Sequence, residues 1–80
     1  MSEDTREVLQ RFLDSLFRDQ RRVSRLDVII RAETLDLDAE LLPIIANLPS
    51  AGSYTRQRLA DQLNSAIVGH GLSRQYGTVD

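Results

Sequence analysis

The stretch VSRLDV, residues 23–28, has an apolar residue before a potential helix-capping serine and a second apolar residue four positions after that serine. If Ser24 is the N-cap, its hydroxyl accepts a hydrogen bond from a backbone N–H in the first turn, which stabilises a helix by about 1 kcal/mol. Val23 and Val28 then have the spacing of a hydrophobic staple, in which two apolar side chains pack across the helix entrance. The stretch therefore predicts that a helix begins near residue 25.

The same layout occurs twice more, as LDAELL at residues 37–42 with Asp38 as the cap, and as YTRQRL at residues 54–59 with Thr55 as the cap. The three copies are unevenly spaced and share no other residues, so they indicate a folding device and not an internal repeat. They predict helices over residues 25–35, 39–47 and 56–68. The side chains expected to be buried by the first of these helices are Leu26, Ile29, Ile30 and Leu35.

An N-terminal helix over residues 5–20 is predicted by an apolar stripe of helical period. The stripe consists of Val8, Leu9, Phe12, Leu13, Leu16 and Phe17. It is wide enough to face two neighbours. Either the other three helices cover it completely, or part of it meets a second copy of the chain or another protein.

The fold class predicted from these patterns is all-α, a compact bundle of four short helices, because no segment has a convincing strand pattern. Pro43 lies early in the third helix, where it removes a helical hydrogen bond and favours a tight start. We expect a single domain over residues 1–71 and a loose C-terminal tail over residues 72–80.

Composition narrows the range of functions. The 80 residues carry a net charge of -2 and no cysteine, which excludes disulfides and thiolate chemistry and suits a reducing compartment. No apolar run approaches the length of a membrane span. We therefore expect a cytoplasmic protein that does not associate with membranes.

The region from about residue 23 to residue 69 resembles a family of small bacterial domains of unknown function that is frequent in actinobacteria. The likeness is carried by Val23 with Ser24, by Ala32 after the apolar pair Ile29 and Ile30, by the segment DAELLPIIANLP at residues 38–49, by Tyr54 with Thr55, and by Ala60, Asp61 and Ala66. The chain departs from that pattern at Arg56, where proline is common in the family, and in its long apolar first helix. The resemblance implies a helical fold and no assigned chemistry.

Residues that could perform catalysis or bind metal are sparse. His70 is the single histidine, and its place between two glycines at a helix end favours a helix-terminus role over a ligand or base. The acids Glu33, Asp36, Asp38 and Glu40 lack the spacing of a calcium-binding loop, so a solvated face is favoured. No phosphate-binding glycine loop is present. We expect no enzyme activity, no cofactor, no metal and no small-molecule substrate.

Arginines supply all of the basic charge, and their fork geometry suits phosphate and carboxylate groups. The candidate anion-binding residues are Arg21, Arg22, Arg25, Thr55, Arg56 and Arg58. Arg56 and Arg58 oppose the dipole at a helix start. Nearby acids such as Asp36, Asp38 and Glu40 could offset them, a bound anion could do so, or both side chains could simply be exposed to solvent; internal salt bridges or exposure are favoured over the anion. The segment RRVS at residues 21–24 also matches a short kinase motif, although an N-cap role already accounts for its serine.

The function favoured by these features is a non-catalytic protein-interaction module that homodimerises or binds another protein through the apolar N-terminal helix. The alternative is a nucleic-acid or phosphate-binding protein that uses its arginines. The acidic charge balance and the glycine-broken segment after residue 68 make that alternative the second choice.

Overall fold

The computed structural model describes residues 5–49 and 52–79, which form five helices and one short β-ribbon. In chain order the elements are α1 (Thr5–Leu16), β1 (Arg22–Ser24), α2 (Arg25–Thr34), α3 (Leu42–Ala46), β2 (Ser53–Thr55), α4 (Arg56–Gly69) and α5 (Ser73–Tyr76). The prediction of a mostly helical domain is confirmed. The prediction of an all-α bundle of four helices is wrong in its details, because the described residues also contain a two-stranded sheet and a fifth helix.

Two of the three predicted helix entrances are confirmed. Ser24 accepts a hydrogen bond from the Asp27 backbone N–H at 3.0 Å, and the Asp27 carboxylate accepts one from the Ser24 N–H at 3.0 Å, which completes a capping box. Thr55 accepts from the Arg58 N–H at 3.2 Å. These side-chain caps, reciprocal at Ser24 and single at Thr55, explain why α2 and α4 begin directly after their capping residues.

The residues before these two caps form the β-ribbon. β1 and β2 pair antiparallel with Val23 opposite Tyr54, Arg22 opposite Thr55 and Ser24 opposite Ser53. Val23 and Tyr54 are both buried, and the Tyr54 hydroxyl donates to the Pro49 carbonyl. Val23 and Tyr54 therefore each have two roles. Each precedes a helix cap, at the first position of a predicted hydrophobic staple, and the two pair with each other in the ribbon that joins the starts of α2 and α4.

The predicted cap at Asp38 is wrong. Residues 38–41 form a turn closed by the Leu41 N–H and the Asp38 carbonyl at 2.9 Å, and α3 begins at Leu42. Pro43 explains the late start, because proline fits the first turn of a helix, where its missing N–H would have no helical partner. Leu42 is 40% exposed, so it does not staple this entrance with Leu37.

The C-terminal end of the chain differs from the predicted loose tail. Residues 73–76 form α5, Tyr76 and Val79 are buried in the core, and α5 packs against α1 and α4. The side-chain amide of Asn64 in α4 makes two hydrogen bonds to the Val79 backbone. Its Nδ2 donates to the Val79 carbonyl at 3.0 Å, and its Oδ1 accepts from the Val79 N–H at 2.8 Å. The prediction failed because Tyr76 and Val79 are too few apolar residues, in an otherwise polar segment, to show the period of a helix or a strand.

Candidate interaction surface

The apolar stripe of α1 lies inside the domain. Leu9, Phe12, Leu13 and Leu16 are each at most 2% exposed, and Val8 and Phe17 are partly buried against the same core. α2 and α5 pack on this helix. The predicted docking surface on α1 is therefore covered by the chain's own helices, and the first of the two alternatives for this stripe fits the fold.

Large apolar side chains are exposed mainly on the segment from α2 to the start of α3. In the part of the chain that the structure describes, the exposed large apolar residues are Leu26 (63%), Ile30 (51%), Leu35 (43%), Leu42 (40%) and Val68 (62%). Four of these five lie between residues 26 and 42, and Val68 stands apart on α4. Leu26 and Ile30 lie one helical turn apart on α2, and exposed apolar side chains grouped in this way are typical of a surface that meets another molecule.

The outward direction of Leu26 and Ile30 follows from the entrance to α2. Val28, predicted to staple the helix entrance with Val23, is fully buried, as Val23 is. At about 100° per residue, Leu26 and Ile30 lie about 200° from Val28 around the helix, which is the opposite side. The predicted burial of Leu26, Ile30 and Leu35 is therefore wrong, and Val28 and Ala32 form the buried line instead. We call the exposed pair Leu26 and Ile30 the α2 patch.

A shallow groove between α2 and α3 lies on the side of α2 that carries Ile29. Its volume is about 130 Å³, and it is lined by Ile29, Ala32, Glu33, Leu42, Ile45 and Ala46. Arg25 joins the two helices, since its guanidinium donates to the Ala46 carbonyl at the end of α3. The start of α2 is thus held by the capping box and by a hydrogen bond to the end of α3.

Charged side chains of both signs lie beside and along α2, including the exposed Asp27 in its first turn. Arg21 and Arg22 are exposed before the helix begins, whereas Glu33 and Asp36 are exposed at its end. Asp36 adopts a left-handed conformation with φ of 55°. Its N–H donates to the Glu33 carbonyl at 3.2 Å, and the next N–H, of Leu37, donates to the Ala32 carbonyl at 3.1 Å, which ends α2 in a Schellman motif.

The predicted anion-binding residues are only partly brought together. Strand pairing places Arg22 opposite Thr55, next to Arg56 and Arg58 at the start of α4. Arg25, however, points to α3. Arg56 forms an ion pair with Asp14 of α1.

The ion pair with Asp14 explains how α4 accommodates the cationic Arg56 in its first turn. Asp14 is not among the acids predicted for this role, which are Asp36, Asp38 and Glu40. The pKa of Asp14 lies below its ordinary value, chiefly because the Arg56 guanidinium donates a hydrogen bond to it. Both groups are substantially exposed, so solvent screening keeps the contribution of this pair to stability small.

Two acids of the predicted acidic junction, Asp38 and Glu40, contact the C-terminal helix α5. The Tyr76 hydroxyl donates to the Asp38 carboxylate at 2.8 Å, and the Gln75 amide donates to Glu40 at 3.4 Å. Burial of the phenol raises the pKa of Tyr76, and the hydrogen bond to the charged Asp38 raises it further. These acids therefore help to attach α5 to the turn before α3.

Groups that could hold a metal ion are not found among residues 5–49 and 52–79, where no three His, Cys, Asp or Glu side chains converge. His70 is exposed at the C-cap of α4, and its backbone N–H donates to the Ala66 carbonyl at 2.9 Å. Over the same residues, every helix falls short of the length and hydropathy required to cross a bilayer.

Comparison of the chain with protein-family models, with curated proteins and with solved structures found no match. The resemblance to a small bacterial domain family therefore stays a prediction.

The α2 patch was missed at the level of sequence because its leucine and isoleucine were assigned to the core, although the predicted Val23–Val28 staple already implied that they lie on the opposite side of α2.

Proposed function

We propose that the chain is a non-catalytic protein-interaction module, active in the cytoplasm, that binds its partner through the α2 patch. The observation that carries this proposal is the exposure of Leu26 and Ile30, one turn apart on α2, in a domain whose other large apolar residues are mostly buried over the part that the structure describes. The lack of cysteine suits a reducing compartment.

The physical properties of α2 support binding at this place. Full burial of a leucine or isoleucine side chain contributes about 1.5–3 kcal/mol, so covering the half-exposed Leu26 and Ile30 supplies a useful part of an association energy. The capping box and the contact between Arg25 and Ala46 hold the helix in place before binding. A rigid binding element loses less conformational freedom on association than a flexible one.

A photo-crosslinking amino acid at position 26 tests the proposal in cells that naturally produce the protein. The matched control carries the same group at position 68, because Val68 is 62% exposed and Leu26 is 63% exposed. We expect specific crosslinked protein species from position 26 and none from position 68. Equal labelling at the two positions, or no protein crosslink at position 26, would contradict the proposal.

Anion or nucleic-acid binding is the second candidate function, and the strand register is the observation that favours it. Arg22 lies opposite Thr55, the cap of α4, and Arg58 follows in the first turn, so basic side chains and backbone N–H groups occur together. Binding of this kind weakens steeply with added salt. A DNA titration at two salt concentrations tests it, with Arg22→Ala and Arg58→Ala expected to weaken any binding and Arg74→Ala as the control.

A further inference from the structure

We propose that residues 73–79, which comprise α5 and the residues after it, form a strap that opens and closes as one unit while the rest of the domain stays folded. The closed strap packs on α1, whose apolar stripe is buried. Opening therefore controls the access of solvent and other molecules to part of that stripe. The strap is separate in the chain from the α2 patch, and its opening does not depend on whether that patch binds a partner.

The strap has little structure of its own. α5 has four residues, and its backbone hydrogen bonds include those from the Tyr76 N–H to the Leu72 carbonyl at 3.0 Å and from the Gly77 N–H to the Ser73 carbonyl at 2.9 Å. An isolated helix shorter than about 12–15 residues is marginal in water, because its first turn is costly to form. α5 therefore forms only while the strap is attached to the domain.

Two buried side chains attach the strap, one on each side of Gly77. Tyr76 is fully buried, and its hydroxyl donates to the Asp38 carboxylate at 2.8 Å. Val79 is buried as well, and its backbone N–H donates to the Asn64 side chain at 2.8 Å. Gly77 joins the two at φ of 67° and ψ of -150°, a conformation that is essentially restricted to glycine. Because both anchors fit their sites only with this backbone turn, they attach and release together.

The remainder of the domain keeps its own supports when the strap opens. α4 ends in a glycine cap that lies before the strap, in which Gly71 has a left-handed φ of 72° and the Leu72 N–H donates to the Ile67 carbonyl at 2.9 Å. Of the nineteen buried apolar residues in the part of the chain that the structure describes, only Tyr76 and Val79 belong to the strap. Opening therefore removes few buried contacts, and segments attached in this way open at a lower free energy than the whole fold.

Single engineered thiols measure the opening, because the chain has no cysteine of its own. Val79→Cys reports on the strap, and Val28→Cys is the matched control, since both valines are at most 2% exposed and Val28 lies in α2. When reclosing is faster than reaction with a thiol reagent, the labelling rate follows the population of the open form. We expect position 79 to react at least about 100-fold faster than position 28. Its rate should also depend less on urea, because opening exposes less surface than unfolding.

Backbone strain at Gly77 tests whether its conformation holds the strap closed. In the Val79→Cys protein, Gly77→Ala should accelerate labelling about 5- to 150-fold, since alanine is strained in the closed strap and relaxes when it opens. Gly52→Ala is the control, because Gly52 also has a positive φ, of 82°, and an added Cβ would meet no atom within 4 Å. Its strain lies outside the strap, so labelling at position 79 should not change. Urea unfolding followed by circular dichroism gives the global stability with which each rate is compared.

Hydrogen exchange of the unmodified chain distinguishes opening of the whole strap from fraying of its last residues. We expect the amides of Tyr76, Gly77 and Val79 to exchange with one common opening constant, and faster than the amides in the middle of α2. A fast Val79 amide beside Tyr76 and Gly77 amides that are protected as strongly as α2 overturns the unit.

The labelling experiments have equally definite outcomes. Equal rates at positions 79 and 28, with the same dependence on urea, show that the strap opens only when the whole domain unfolds, which overturns the proposal. A rate at position 79 that Gly77→Ala leaves unchanged, or that Gly52→Ala raises as much as Gly77→Ala does, overturns it as well.

Discussion

Replacing Phe12 by alanine distinguishes a core role for α1 from a docking role. Phe12 is fully buried between helices of one chain, and truncation of a buried phenylalanine costs about 3–5 kcal/mol through lost burial and the cavity that remains. An 80-residue domain has a total free energy of unfolding of about 4–12 kcal/mol. The substitution should therefore remove a large part of the stability, and the milder Phe12→Leu should remove less, within about 1.5 kcal/mol.

Urea unfolding followed by circular dichroism, carried out at several protein concentrations, measures this loss. Because Phe12 packs within one chain, the loss should be the same at every concentration, whereas a loss arising from a subunit contact would change with concentration. Val68→Ala is the control, with an expected change within about 0.5 kcal/mol because the side chain is exposed. An unchanged unfolding midpoint for Phe12→Ala, together with lost association, would refute the assignment of α1 to the core.

Three further predictions concern the entrance to α2 and the C-terminal segment. Ser24→Ala should lower the free energy of unfolding by about 1 kcal/mol, because it removes the capping box, and Ser24→Asp, which restores an acceptor, should recover most of that loss in the same urea assay. Wild-type stability should fall above about pH 10 by up to 1.4 kcal/mol per pH unit, since the raised pKa of Tyr76 keeps its phenol protonated in the fold while the unfolded chain loses that proton. Tyr76→Phe should abolish this part of the alkaline loss, and an identical pH profile in both proteins would contradict the burial of that hydroxyl. Asn64→Ala should increase hydrogen exchange at the Val79 amide with little change in α2, because Asn64 accepts from that amide; unaltered protection of Val79 would show that the bond is dispensable.

Local sequence signals were sufficient for the elements whose formation is decided locally. The starts of α2 and α4 follow from the side-chain caps at Ser24 and Thr55 and from their staples. Asp38 has the same pattern, yet Pro43 and the bond between Asp38 and Tyr76 give that carboxylate a different role. A capping residue therefore predicts where a helix can begin. Whether the residue acts as a cap also depends on distant partners, such as Tyr76, which lies 38 residues from Asp38.

Features that depend on distant partners were not predictable from local patterns. Strands of three residues are too short for a period to be read, and the pairing of Val23 with Tyr54 joins positions separated by two helices. The side of α2 that faces the core was misassigned because its apolar residues surround most of the helix, and the choice between them is made by the fit of Val28 and Ala32 against neighbouring elements. The position of the candidate surface therefore depends on the rotation of α2 about its own axis, which the local sequence pattern did not determine.

The β-ribbon has a consequence for the order in which the chain folds. Its two strands close a loop of about thirty residues that contains α2 and α3, and the entropy lost in closing such a loop precedes any gain from strand pairing. We expect the local helices to appear early and the ribbon to form close to the rate-limiting step. Substitutions at Val23 or Tyr54 should then slow refolding. We expect α5 to attach later, because its packing on α1 joins distant parts of the chain, so substitutions in α5 should mainly accelerate unfolding.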